Sequence, residues 1–240
     1  LIVQGLAEAF KNKIHDNFEQ EVRKLDISGI YEKITEAALD ILSSKFPQNP
    51  IENQKKTLGL IQVHQYFAIE ILFGEDQANA LGFTYDEEEW PMEELARCGL
   101  IKYGKNGKAQ FNHDTYAEAF IAGVLYNLIK NVKNVTTIQL EFLIQILINE
   151  KFQVTRMILD SMLNKIEKVQ GLKVFNSSEN ILKTFKKNQK FLHFCVREKL
   201  FNLFEFVALV IKKQDQNYFK KIFEYFNSIT FFKFYKHKPS

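Results

Sequence analysis

Asn112-His113-Asp114 is the triplet in this 240-residue chain whose residue types and setting best suit ligand chemistry. An imidazole between a strand end and a helix start can donate one hydrogen bond to a phosphate oxygen when it is neutral. Thr115-Tyr116-Ala117-Glu118 follows at once and fits a capping box. There the Thr115 hydroxyl accepts from the Glu118 backbone N–H, and the Glu118 carboxylate accepts from that of Thr115. The other combinations are weaker. The stretch from Gly99 through Gly104, Lys105 and Asn106 nearly spells a phosphate-binding loop. It lacks the Ser or Thr that holds Mg²⁺, and a helix precedes it and a hairpin follows, the reverse of the strand-to-helix setting that loop needs. His193-Phe194-Cys195 offers two donors with no second pair, a poor zinc site. Glu87, Glu88 and Glu89 read as a solvated acidic face, not an acid/base dyad. No nucleophile elbow, Cys/His pairing or His-Glu-x-x-His is present. The chain is therefore expected to be no enzyme, with no catalytic residue and no metal ligand set.

The elements that must position His113 can be read from apolar spacing. Leu6, Phe10, Ile14, Phe18 and Val22 recur every four residues and predict a first helix. A second is predicted over 28–44, with Ile30, Ile34, Ala37, Ala38, Ile41 and Leu42 inward. Pro47 and Pro50 break it. A third helix is predicted over 54–73, using Leu58, Ile61, Phe67 and Leu72. After Trp90, Pro91 suits the first turn of a short helix carrying Met92, Leu95 and Ala96, and Gly99 can stop it. Asn106-Gly107 tolerates positive φ at both positions, so residues 101–103 and 109–111 are predicted to form two antiparallel strands. A helix from Thr115 to about Lys130 follows, through Phe120, Val124, Leu125 and Leu128. Short helix, hairpin and capped helix are the order of a winged-helix unit. Beyond Asn134 the pattern is helical: Leu140 to Leu147, Val154 to Ile166, then Leu192 to Phe194, Leu203 to Ile211 and Tyr218 to Phe226.

Composition bounds the rest. No apolar run is long enough for a membrane span. Two cysteines far apart, Cys98 and Cys195, fit buried thiols in a reducing, cytoplasmic setting. The net charge of +3 is uneven: residues 165–240 hold 16 Lys/Arg and 6 Asp/Glu, a balance of +10, against −7 for the remainder. A basic end attracts nucleic acid or acidic partners, but no aromatic–Arg pattern for base stacking accompanies it, so a solvated Lys-rich face is the simpler reading. The chain opens on Leu1 and not Met, which points to a piece of a longer product.

The run Phe111-x-His113-x-Thr115-Tyr116-x-Glu118-Ala119-Phe120-x-Ala122 resembles the winged-helix signature of NACHT-type signalling ATPases. Asn112-His113-Asp114 also resembles the Met-His-Asp triplet of related plant immune switches, with Asn112 in place of Met. Upstream, Leu6 to Phe10 and Ile30 to Lys33 resemble the first helical domain of arthropod members. Downstream, Phe191 to Glu198 resembles the start of an ankyrin repeat, without its Thr-Pro and with Lys199 where Gly is usual. The resemblance implies a mainly α fold: a helical domain remnant over 1–50, a winged-helix-like domain over 51–131, a helical hairpin over 132–170 and ankyrin-like repeats over 171–240. It implies that His113 contacts the β-phosphate of ADP held by a nucleotide-binding domain of the same parent chain, with Thr115 and Glu118 capping the helix beneath it. No cofactor is then bound by this chain itself; ADP or ATP belongs to the parent. The expected role is a non-catalytic regulatory segment in cytoplasmic signalling of the innate-immune kind, with C-terminal helices for protein partners. Two rivals stand beside it. One is a winged-helix nucleic-acid-binding module using Lys102, Lys105 and Lys108, disfavoured by the acidic run Asp86–Glu89. The other is a helical protein-interaction scaffold with no nucleotide role.

Overall fold

A computed structural model describes residues 26–43, 49–104, 108–130 and 136–164. The predicted first helix, the Asn106-Gly107 turn, His193, Cys195 and the ankyrin-like and basic stretches over 171–240 lie outside these residues. What is described is mainly α with one short antiparallel hairpin, the class expected. Helix α1 spans Ile27–Ser43, α2 Pro50–Phe73, α3 Glu75–Ala80 and α4 Met92–Ala96. Strands β1 (Ile101–Tyr103) and β2 (Ala109–Phe111) follow, then α5 (Asp114–Lys130), α6 (Thr137–Ile148), a 3₁₀ turn (Glu150–Phe152) and α7 (Gln153–Asn164).

Local chemistry explains most of these ends. Helix α2 begins four residues before its predicted start, because Pro50 fits the first turn and Asn49 caps it, its Oδ1 accepting from the Ile51 N–H at 3.0 Å. Proline there starts the helix as well as separating it from α1. Asp26 opens α1, its Oδ1 accepting from the Gly29 N–H at 2.7 Å. The capping box of the described chain is at Thr136 and Gln139, at the head of α6: Gln139 N–H donates to Thr136 Oγ1 and Thr136 N–H donates to Gln139 Oε1. Gly99 ends the turn after α4 with φ +73, a conformation that costs other residues strain.

Helix α2 is the centre of the fold. Its residues from Val63 to Ile69 are all buried, on every side of the helix. It packs against α1, α3, α5 and β2, while α5 packs on α2 and α7, and α7 reaches back to α1. That encirclement corrects the inward face predicted for two helices. Leu58 and Leu72 are 54% and 38% exposed, and Ile41 of α1 is 49% exposed. A single apolar stripe suits a helix covered on one side; α2 is buried on every side from Val63 to Ile69, while Leu58 before that stretch and Leu72 after it stay exposed.

One buried cluster runs from Tyr31 in α1 through Leu60, Leu95, Ile101, Leu125 and Ile146 to Leu163 in α7. Its members come from both sides of residues 50 and 131. The principal packing of α7 is on α5 and α1.

Candidate functional site

The β-ribbon delivers His113 to the start of α5. Ile101 pairs with Phe111, Lys102 with Gln110 and Tyr103 with Ala109. Ile101, Ala109 and Phe111 point into the core and Lys102 and Gln110 outward, so the pleat fixes which face of the ribbon is anchored. Gly104 closes it, its N–H donating to Lys108 C=O at 2.7 Å, and a Cβ at Gly104 would lie 2.9 Å from that oxygen. Asn112 then pins the ribbon to the end of α4. Its side-chain amide donates to Gly99 C=O at 2.7 Å and its backbone N–H to Leu100 C=O at 2.9 Å. This role was not foreseen for Asn112, although an Asn bridging a turn is an ordinary use of that side chain.

His113 is half-buried. Its Nδ1 shares a hydrogen bond with Thr115 Oγ1 at 3.2 Å. Among the described residues Nε2 has no hydrogen-bond partner. The ring meets Tyr116 edge-on at 6.2 Å, and Tyr116 meets the buried Tyr31 edge-on at 6.4 Å. A file of three rings thus leads from His113 into α1.

The predicted cap of α5 is corrected. The helix begins at Asp114, with Tyr116 N–H donating to His113 C=O at 3.0 Å, so Thr115 is already inside the first turn. Thr115 turns to the His113 ring. Glu118 turns to another helix: its Oε2 accepts from the Thr155 N–H at 2.9 Å and from the Thr155 hydroxyl at 3.1 Å. Thr155 is fully buried in the first turn of α7. Glu118 therefore caps α7 across the helix interface, where the sequence pattern pointed to its own helix.

The surroundings decide what else the region can do. Asp86, Glu87, Glu88 and Glu89 are exposed, with Asp86 Oδ1 accepting from the Glu88 and Glu89 N–H groups and Lys56 paired to Glu89 at 2.6 Å. Lys56 also lies 5.0 Å from the centre of the Trp90 ring. Burial, then Glu70 and Glu75, pushes Tyr66 up to about 12, and burial, then Glu87, does the same to Tyr85. Those hydroxyls stay protonated at neutral pH. Burial also pushes the Cys98 thiol up to about 12, so it is held as the unreactive thiol, as expected of this cysteine. Among the described residues no three His, Cys, Asp or Glu side chains gather as a metal site. No helix among them is long and apolar enough to cross a membrane.

His64, in the middle of α2, escaped sequence reading. It is fully buried, stacked on Phe120 at 5.2 Å, with Nδ1 2.8 Å from Leu60 C=O and a buried Nε2 that has no hydrogen-bond partner. Burial drives its pKa down to about 4. A cleft of about 240 Å³ opens on another face, between Gln62, the Leu81–Thr84 loop, α5 at Val124, Asn127 and Leu128, and Gln139 of α6. It carries no charged side chain. The ribbon and α5 bring together Asn112, His113, Thr115 and Tyr116; Glu118 belongs to the α5–α7 contact. Set against known proteins, the chain matches no family model, no curated protein and no solved structure.

Proposed function

We propose that this chain is a regulatory segment of a NACHT-type nucleotide-dependent switch, in which His113 donates a hydrogen bond to a phosphate oxygen of ADP held by another domain of the same parent protein. The observation that carries this is the state of one side chain. His113 stands half-buried directly after a β-ribbon, one ring nitrogen engaged by Thr115 and the other without a partner among the described residues. The resemblance of residues 111–122 to the family signature supports the ligand. In a switch of this kind, loss of the contact frees a rigid unit to rotate between two packed states. The ring file from His113 through Tyr116 to Tyr31 supplies a physical connection between such a contact and α1.

The test is His113→Ala in the natural full-length product, with bound nucleotide measured after purification and denaturation. The expected result is loss of most of the co-purified ADP, since a hydrogen bond to a charged group contributes roughly 1.5–3 kcal/mol, or about 10- to 100-fold in affinity. Equal ADP content in the two proteins, or none in either, rejects the reading. The nucleic-acid alternative uses Lys102 and Lys108, which are exposed on the ribbon. The acidic residues at 86–89 and the neighbouring Glu93 and Glu94 oppose a polyphosphate there.

A further inference from the structure

The hydrogen bond between Thr115 and His113 has a direction that hydrogen accounting supplies. The Thr115 hydroxyl carries one hydrogen, and its contact among the described residues is with His113 Nδ1 at 3.2 Å. If Nδ1 carried the ring proton, the hydroxyl would accept, and its own hydrogen would have only solvent to meet at a half-buried position. If the hydroxyl donates, both groups are satisfied at once. The neutral ring then carries its proton on Nε2, the nitrogen that has no partner among the described residues.

We infer that Thr115 is a positioning residue: it holds His113 in the Nε2–H form, so that this site takes a hydrogen-bond acceptor such as a phosphate oxygen. The identity of that acceptor rests on the switch reading above; the tautomer does not. A histidine used as a metal ligand through Nε2 must offer a lone pair there, which the bond from Thr115 disfavours. Asn112 and Tyr116 complete the support. The first fixes the backbone entering His113, and the second presents its ring edge-on to the imidazole.

The experiment is a long-range proton–nitrogen correlation of the ¹⁵N-labelled chain in mildly alkaline buffer, where histidine as a residue type is neutral. The His113 signals are those that vanish in His113→Ala. The wild type is expected to show a pyridine-type Nδ1 and a pyrrole-type Nε2, a single tautomer. Thr115→Val keeps the shape and removes the hydroxyl, and is expected to move both nitrogens toward the averaged values of a mixed ring. Thr115→Ser is expected to restore the wild-type pattern. A Thr115→Val ring identical to the wild type overturns the inference. In the full-length product, Thr115→Val is expected to lose ADP about fivefold and Thr115→Ser to keep it, the scale of one modest hydrogen bond. If His113→Ala loses ADP and Thr115→Val does not, positioning by Thr115 is overturned while the switch reading stands. If neither variant changes ADP content, the switch reading falls, and the nitrogen spectra alone decide the tautomer.

Discussion

Single side chains in this protein are used in ways their sequence neighbours do not announce. The Thr115-x-x-Glu118 spacing satisfies the rule for a capping box, yet each residue bonds elsewhere, because the helix starts one residue earlier and α7 brings a buried N–H within reach of Glu118. Spacing reports what a helix end could do alone; the competing partner belongs to a residue 37 positions away. His113 was legible because a histidine between a turn and a helix stands out by position. His64 was not, since a histidine inside an apolar helix reads the same whether it faces water or the core. Its burial makes a measurable difference. The folded pKa of about 4 lies below the ordinary 6.5, so the unfolded chain binds the proton more readily between those values. The stability that comes from keeping His64 neutral is fully present above pH ~6.5 and is lost progressively as pH falls to ~4, by roughly 3 kcal/mol. His64→Leu removes both the titration and the partnerless Nε2. Urea unfolding at a series of pH values is expected to show a shallower acid loss in the variant by about that amount. Parallel curves for the two proteins would show that the ring is not held neutral by its surroundings.

At the level of helices and strands, apolar period and turn residues located the elements well. The two strands fall on the residues predicted, the helices predicted over 28–44 and 115–130 sit within a residue of expectation, and the stretch Leu140 to Leu147 falls inside the helix Thr137–Ile148. What sequence missed are features decided by partners. The start of α2 followed from Asn49 and Pro50 acting together, and the faces of α1 and α2 followed from which neighbours cover them. The junction of α5 with α7 belongs to the same class. There Glu118 supplies the acceptor that the first turn of α7 lacks within itself, and it does so for two donors on a fully buried Thr155. Glu118→Ala leaves the N–H of Thr155 unpaired in the core and its hydroxyl with only the longer 3.4 Å bond to Glu118 C=O, with an expected loss of roughly 1–3 kcal/mol of stability. Glu118→Gln keeps a carbonyl oxygen in place and is expected to lose less than about 1 kcal/mol. Chemical denaturation of the two variants separates them. Equal losses would mean that the negative charge at the head of α7, and not the accepted bonds, stabilises the junction.

At the scale of the whole described molecule, one buried apolar cluster has members in α1 and in α7, on both sides of positions 50/51 and 131/132 where the sequence suggested boundaries. Those boundaries were drawn at Pro50 and after Lys130, where local signals change. A boundary in three dimensions needs a break in the core as well. Helix α1 lies against α2, α5 and α7, Ser28 N–H donates to Ser161 Oγ at 3.3 Å between the first and last described helices, and Phe73 of α2 stacks on Phe152 beside α7. This gives the nucleotide reading its mechanical content. A perturbation at His113 acts on the head of α5, and α5 is packed against α1, α2, α6 and α7 at once, so the described helices would move as a unit. Leu159 of α7 is fully buried and far in sequence from α1 and α2. Leu159→Ala is expected to cost about 2–5 kcal/mol by leaving a cavity. If the core is shared, hydrogen exchange in the variant rises by a similar free energy in the slowest amides of α1, α2, α5 and α7 together, because all open through the same global unfolding. Exchange that rises in α6 and α7 alone, with α1 and α2 unaffected, would establish an independent unit after residue 131. His113 could then move α5 without carrying α7 with it, and the Glu118–Thr155 junction would be the first contact to break.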